Sequence, residues 1–145
     1  MDVQVNYWAV LAATASAMVV GSIWYAQSVF GKTWIKLAKI DIKKDRGSVA
    51  KPIGIALLVS LVTAYVLAHV AYLSNQFFHD SFLQDALTTA FWLWLGLTAA
   101  RIITHDVFEG RPAQLTAITL GNEFVTIMVD IYTQPQTVIK NRQHS

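Results

Sequence analysis

Four long apolar segments separated by short polar connectors dominate this chain and restrict the architecture it can adopt. They cover about 6–29, 53–73, 82–108 and 113–132, and each reaches the roughly 20 residues that an α-helix needs to cross a bilayer core. Only 14% of the residues are charged, against about 25% in soluble domains, which is too few to cover a water-facing surface. The sequence predicts one all-α domain over residues 1–145, an integral membrane four-helix bundle.

The basic residues predict how this bundle is oriented in the membrane. Seven of the eleven Lys and Arg lie between Lys32 and Lys51, in the first connector, whereas the second connector has none and the third has Arg111. By the positive-inside rule, the first and third connectors are cytoplasmic and both termini lie outside. Lys140 and Arg142 in the tail argue weakly against this orientation.

The first connector alternates apolar and basic residues after Gly31. This pattern predicts a short helix lying in the membrane interface, with Lys36, Lys39 and Lys43 facing water and lipid phosphates. The alternative is a solvated loop that only sets the topology. Because the basic residues are concentrated beside an apolar segment, the net charge of +2 and the pI near 9.0 indicate a membrane face and not nucleic-acid binding.

Several functional classes find no support in the sequence. There is no cysteine, so disulfides and thiolate metal sites are impossible. No phosphate loop, GxSxG or HExxH motif occurs, and the sequence indicates neither a cofactor nor a catalytic residue. His105, Asp106 and Glu109 could contribute metal ligands, but their spacing matches no recognised metal motif. The first segment lacks the basic start of a signal peptide, so we expect it to be a retained helix.

Ionisable residues inside the apolar segments are the strongest indication of function, because charge in a bilayer costs several kcal/mol per residue. The third segment places Arg101, His105 and Glu109 four residues apart, so these side chains share one helical face. The second segment contains His69, and the fourth contains Glu123 and Asp130.

A hairpin at Pro112 brings Arg101 to the depth of Glu123, about 15 Å from the turn. We predict that these two side chains form an ion pair, and that His69 lies near the depth of Asp130 toward the outside. In one interpretation the ion pair only fixes the helix register. In the other, Glu123 binds or relays a proton or cation in a polar cavity, with His69 and Asp130 toward its outer mouth.

Two groups of short motifs are distinctive in order and spacing. The first is Trp24-Tyr25 followed by Phe30-Gly31-Lys32 and Trp34, and the second is Phe108-Glu109-Gly110-Arg111-Pro112 with Gly121 further along. In these motifs the chain resembles a family of small bacterial membrane proteins, domain of unknown function 1761. The resemblance implies a four-helix membrane protein, which we expect in a bacterial inner membrane, and it brings no established activity, substrate or catalytic residue.

The chain departs from the family pattern at two places. The family has Thr-Asn before the turn, where this chain has Thr104-His105-Asp106, and an aromatic residue and a His after Gly121, where it has Asn122-Glu123. These changes add charge, so a polar cavity would be particular to this protein. They also place Asn122 among the candidate pathway residues.

The turn between the third and fourth segments has a structural interpretation of its own. Gly110 supplies backbone freedom, Pro112 starts the next helix, and Arg111 anchors the cytoplasmic face. Glu109 is expected to bond the free amides at the start of the fourth segment. This pattern favours a hairpin turn over a binding site.

The leading hypothesis is a membrane protein that binds or passes a small solute, proton or ion through a polar interior of the third and fourth spans. The alternative is a structural or accessory subunit of a larger membrane complex, with no transport or catalytic activity of its own. An intramembrane enzyme is the third possibility. We expect a homo-oligomer in the lipid bilayer, because a single bundle of this size encloses little interior.

Overall fold

The structure is a computed structural model that describes residues 5–41, 50–78 and 81–134. Its helices are α1 (Tyr7–Trp24), α2 (Gly31–Leu37), α3 (Ala50–Phe78), α4 (Phe82–Leu93), α5 (Ala100–Phe108) and α6 (Ala113–Thr133), with a π-helical segment at Trp94–Ala99 joining α4 to α5. Four spans, namely α1, α3, Phe82–Phe108 and α6, are long and apolar enough to cross a membrane. The predicted all-α, four-span architecture is therefore confirmed, with α2 as the short helix of the first connector.

Polar side chains define where the helices begin at one end of the bundle. The Asn6 side chain accepts hydrogen bonds from the amides of Trp8 at 3.0 Å and Ala9 at 3.3 Å, which caps α1. Ser81 caps α4 by accepting from the amide of Gln84 at 3.3 Å. We call this the terminus end, and the end with α2 and the turn at 109–112 the connector end.

At the connector end, α1 stops at Trp24, before Val29, because the chain folds back on itself. The amide of Phe30 donates to the Trp24 carbonyl at 3.1 Å. A side chain at Gly31 would place its Cβ 2.3 Å from the Tyr25 carbonyl oxygen, so only glycine fits this close approach. Helix α2 follows at once, and the chain leaves it through Lys39 at φ 55°.

The α2 lysines face outward, as an interfacial helix requires. Lys32 and Lys36 on α2 are exposed, as is Lys39 just after the helix. Lys43, which we predicted to face lipid phosphates with them, lies outside the described residues, as do Lys140 and Arg142 in the tail.

The core of the bundle is narrow and rich in alanine. Helix α6 packs against α1, α3 and α4. The two buried apolar clusters contain Leu67, Ala71, Ala86, Ala90, Ile127 and Ile131 in one, and Val10, Ala13 and Ala64 in the other. Most large apolar side chains point outward instead, among them Leu58 (61% exposed) and Leu97 (68% exposed). An apolar exterior around a thin core is what lipid-facing helices require.

Candidate functional site

The inward side of α6 carries a line of polar residues along most of the helix. Thr116, Thr119, Glu123, Thr126 and Asp130 follow one another at steps of three and four residues, which places them on one helical face. We call these five residues the polar stripe. Since α6 has 21 residues, it is about 30 Å long, with Glu123 at its middle.

The inward side of α6 contains buried polar atoms without partners, from the middle of the helix to the terminus end. Asp130 is 0% exposed, and neither of its carboxylate oxygens accepts a hydrogen bond from the described residues. The Thr126 hydroxyl and, at the middle of α6, the Asn122 side-chain oxygen are also buried and unpaired. The indole nitrogen of Trp94 is unpaired too, but its ring packs on Phe124, on another side of α6. Buried polar groups nearly always have partners, so a cluster of unpaired ones is unusual in the interior of a folded protein.

A recess opens one helical turn beyond Asp130, at the terminus end. It is lined by Val5, Asn6, Ala9, Ala68, Tyr72, Phe82 and Gln134. Its volume is about 20 Å³, which is room for one water molecule. The Gln134 side chain donates to the Ala64 carbonyl at 3.1 Å and is buried. The recess therefore brings a water-sized space close to the unpaired carboxylate.

Tyr25 adjoins the stripe from the connector end. Burial raises the pKa of the Tyr25 hydroxyl, the Glu123 carboxylate raises it as well, and a hydrogen bond with the Thr119 side chain lowers it. The Tyr25 ring also contacts the Trp34 ring of α2, with centroids 5.4 Å apart. Tyr25 thus links the interfacial helix to the middle of the polar stripe.

The turn between α5 and α6 is held by a closed set of polar contacts, which we call the turn clip. Thr116 donates to the Asp106 carboxylate at 2.6 Å, and Arg111 Nε lies 3.7 Å from the other oxygen of Asp106. Arg111 also pairs with Glu109 at 2.6 Å. Gly110 adopts φ +65° in this turn, the left-handed conformation that glycine favours.

The contacts of the turn clip engage the carboxylates of Asp106 and Glu109. Glu109, which we expected to bond the first amides of α6, pairs with the Arg111 side chain instead. Asp106 is directed at Thr116 and Arg111. Across residues 5–41, 50–78 and 81–134, no group of three or more His, Cys, Asp or Glu could hold a metal ion.

The ion pair predicted between Arg101 and Glu123 does not form. Arg101 is exposed, and no ion pair joins it to Glu123 in the part of the chain that the structure describes. The reason is the rotation of the helix. Asp106 faces α6, and five residues at 100° each turn Arg101 about 140° away from that face. Arg101, His105 and Glu109 do share one face, as predicted, but that face is the exposed exterior.

His69 also lies away from Asp130. Its ring packs on Tyr65 with centroids 4.4 Å apart, and its Nδ1 lies 3.0 Å from the Tyr65 carbonyl oxygen. Leu67 and Ala71 form the buried side of α3, and His69 is about 160–200° from both around the helix. The structure therefore brings Asn122, Glu123 and Asp130 onto the inward side of α6, without His69, Arg101 or His105.

From the sequence, Tyr25 was named only as a motif residue, and neither it nor the stripe threonines were included in the candidate site. A signal for the threonines was present. The 3-4-3-4 spacing of the stripe is readable from the sequence and is the spacing of an inward-facing helical stripe. The spacing along α6 gives no information about Tyr25, because Tyr25 follows α1 and is not part of α6. Asp85 was also overlooked; it is buried on α4 and accepts a hydrogen bond from the Asn75 side chain at 2.8 Å.

The motif residues of the first connector are packing residues. The Trp24 indole donates to the Ile118 carbonyl at 3.0 Å, and its ring stacks near Phe30 at 4.7 Å. A Cβ at Gly121 would lie 2.8 Å from the Trp24 ring, so the glycine makes room for the indole. The two motif groups therefore meet in space and fasten the end of α1 to α6.

Comparison with known families gives a match over most of the chain. Residues 8–132 match the model of a family described as protein of unknown function (DUF1761). Comparison with curated proteins and with solved structures gives no match.

Proposed function

We propose that this chain, which belongs to the family described as protein of unknown function (DUF1761), takes up a proton or small monovalent cation on the polar stripe. Asp130 is the primary acceptor and Glu123 the second. The observation that carries the proposal is the complete burial of Asp130 with both carboxylate oxygens unpaired.

The charge balance around Asp130 supports this function. No Lys or Arg side chain forms an ion pair with it within the part of the chain that the structure describes. An ionised carboxylate buried without a partner is strongly disfavoured. A bound proton or cation would remove that cost, so the site is suited to an exchangeable positive charge.

The dimensions favour a proton or bare ion over a larger solute. The recess beside Gln134 has room for about one water molecule. Successive stripe residues have Cβ atoms about 5–6 Å apart, so bridging waters would be needed to connect Asp130 through Thr126 to Glu123. This spacing is compatible with a relay of hydrogen bonds through water. The volume of the recess is too small for a metabolite.

The proposed site lies within one chain, so it does not require a second copy. The homo-oligomer stays a prediction. In the proposed orientation, with both termini outside a bacterial inner membrane, the recess would open to the outside and Tyr25 would lie toward the cytoplasm.

The test is proton flux into vesicles that contain the purified protein. A potassium gradient with valinomycin drives the flux, and a trapped pH-sensitive dye reports it. We expect wild type to exceed protein-free vesicles and Asp130→Asn to fall to their level while remaining folded. Asp85→Asn is the matched control, because Asp85 is also buried but is hydrogen-bonded to Asn75, and it should keep wild-type flux.

Binding without passage would need a second measurement. If wild type shows no flux, infrared difference spectra between acidic and alkaline buffer should still contain a protonated-carboxyl band that Asp130→Asn removes. If wild type lacks both the flux and this band, the proposal is wrong. The accessory-subunit alternative would then be favoured, and a larger protein that copurifies would support it.

A further inference from the structure

The outward face of α5 carries a cation where the surroundings are apolar. Arg101 is the only Lys or Arg more than one turn inside a described spanning helix. It is exposed, with Thr104 and His105 beside it. Apolar side chains are exposed on the same side of the helix, including Leu97 (68%) four residues before Arg101 and Phe108 (88%) seven residues after it. This guanidinium therefore needs an anionic partner that comes from outside the helix bundle.

The chain itself offers no such partner at this depth. Glu123 and Asp130 are on the inward side of α6, and Asp106 belongs to the turn clip. Asp85 is buried beside Asn75. Every other acidic residue lies outside the spans. A second copy of the chain has its acidic residues at the same positions, so it could not supply an exposed carboxylate within the membrane either.

We propose that Arg101 and His105 bind the phosphate of an anionic phospholipid from the leaflet at the connector end. His105 is one helical turn nearer that end, on the same face as Arg101. Arg101 lies seven residues, about 10 Å, from the last residue of α5. The planar guanidinium suits bidentate contact with phosphate oxygens. The headgroup reaches it by local thinning of the bilayer, as lipids do around intramembrane arginine.

The test compares lipid retention by native mass spectrometry. Protein is released from vesicles of equimolar phosphatidylcholine and phosphatidylglycerol, and the adducts of each lipid are counted. Wild type should retain phosphatidylglycerol preferentially, and Arg101→Gln should reduce that preference roughly five-fold. Lys51→Gln is the matched control: it removes one exposed positive charge from the start of α3 and should leave the preference unchanged. Arg101→Lys keeps the charge, so this variant should retain most of the preference for phosphatidylglycerol.

Several results would overturn the proposal. Equal retention of both lipids by wild type would do so without any variant. Equal losses in Arg101→Gln and Lys51→Gln would show only general surface charge, and displacement of the lipid by added inorganic phosphate would show a soluble ligand. If Arg101→Gln yields no folded protein, Arg101→Met replaces it, since methionine covers similar apolar surface.

Discussion

The turn clip and the part of the polar stripe toward the terminus end are both polar regions of the helix bundle. They differ in whether their polar atoms have partners. In the turn clip, the Asp106 carboxylate has hydrogen-bond and ion-pair partners in Thr116 and Arg111. In the stripe, Thr126 and Asp130 have buried polar atoms with none among the described residues. A satisfied network stabilises a fold, whereas an unsatisfied one costs stability and needs another reason to exist. Substitutions should therefore affect the two regions differently.

The largest loss of stability is expected where the motif residues interlock. Gly121→Val should cost about 3 kcal/mol, at the upper end for overpacking, because its Cβ would lie 2.8 Å from the Trp24 ring. Thermal unfolding followed by tryptophan fluorescence in a fixed detergent would measure it. Gly54→Val is the control, since a Cβ there meets nothing within 4 Å. Equal unfolding temperatures for the two variants would show that the close packing of Gly121 against the Trp24 ring does not stabilise the fold.

The turn clip should show the next largest effect. Asp106→Ala leaves the Thr116 hydroxyl and the Arg111 side chain without this acceptor, which should cost about 2 kcal/mol. Asp106→Asn keeps one acceptor oxygen and should recover part of the loss. The same thermal unfolding assay applies. An Ala variant as stable as wild type would show that the turn clip contributes nothing to folding.

A smaller loss is expected from the backbone of the turn. Gly110→Ala forces a side chain into the left-handed region at φ +65°, at a cost of about 1 kcal/mol. Gly21→Ala is the control, because Gly21 lies within α1 and a Cβ there meets open space. That control should be neutral or slightly stabilising. A loss of the same size in both variants would show that the turn conformation is not the cause.

The smallest effect on stability is expected in the stripe, and it is the sharpest test of the comparison. Asp130→Asn removes no hydrogen bond that the structure describes, and it removes a buried carboxylate that has no ion-pair partner there. The free energy of unfolding should therefore fall less than in Gly110→Ala, although proton uptake is lost. A loss as large as that of Asp106→Ala would mean that Asp130 is a structural residue. The two regions would then be alike, and the proposed site would fail.

The structure also changes what a substitution at Glu123 should do. The predicted ion pair with Arg101 would have made Glu123→Ala fail to assemble. Because Arg101 faces outward and forms no ion pair with it, we now expect that variant to fold, with its main effect on proton uptake. Normal yield of Glu123→Ala would agree with the structure, whereas loss of the folded protein would point to a structural role.

The sequence by itself determined the four spans, the short helix of the first connector and the turn at Gly110. These features depend on hydrophobic length, local charge and backbone chemistry, which are properties of neighbouring residues. It also predicted the depth of each residue, since each residue adds about 1.5 Å along a helix, and those depths stay predictions. The face shared by Arg101, His105 and Glu109 was predicted for the same reason.

Only the tertiary structure decided which way each face points. Asp106 turns toward Thr116 of α6, and that contact fixes Arg101 on the exterior. The π-helical segment at Trp94–Ala99 adds to this, because one extra residue in a turn rotates the following helix by about 100°. Rotation about a helix axis depends on what the other helices present, as Tyr25 does to Glu123, and that information is not local in the sequence.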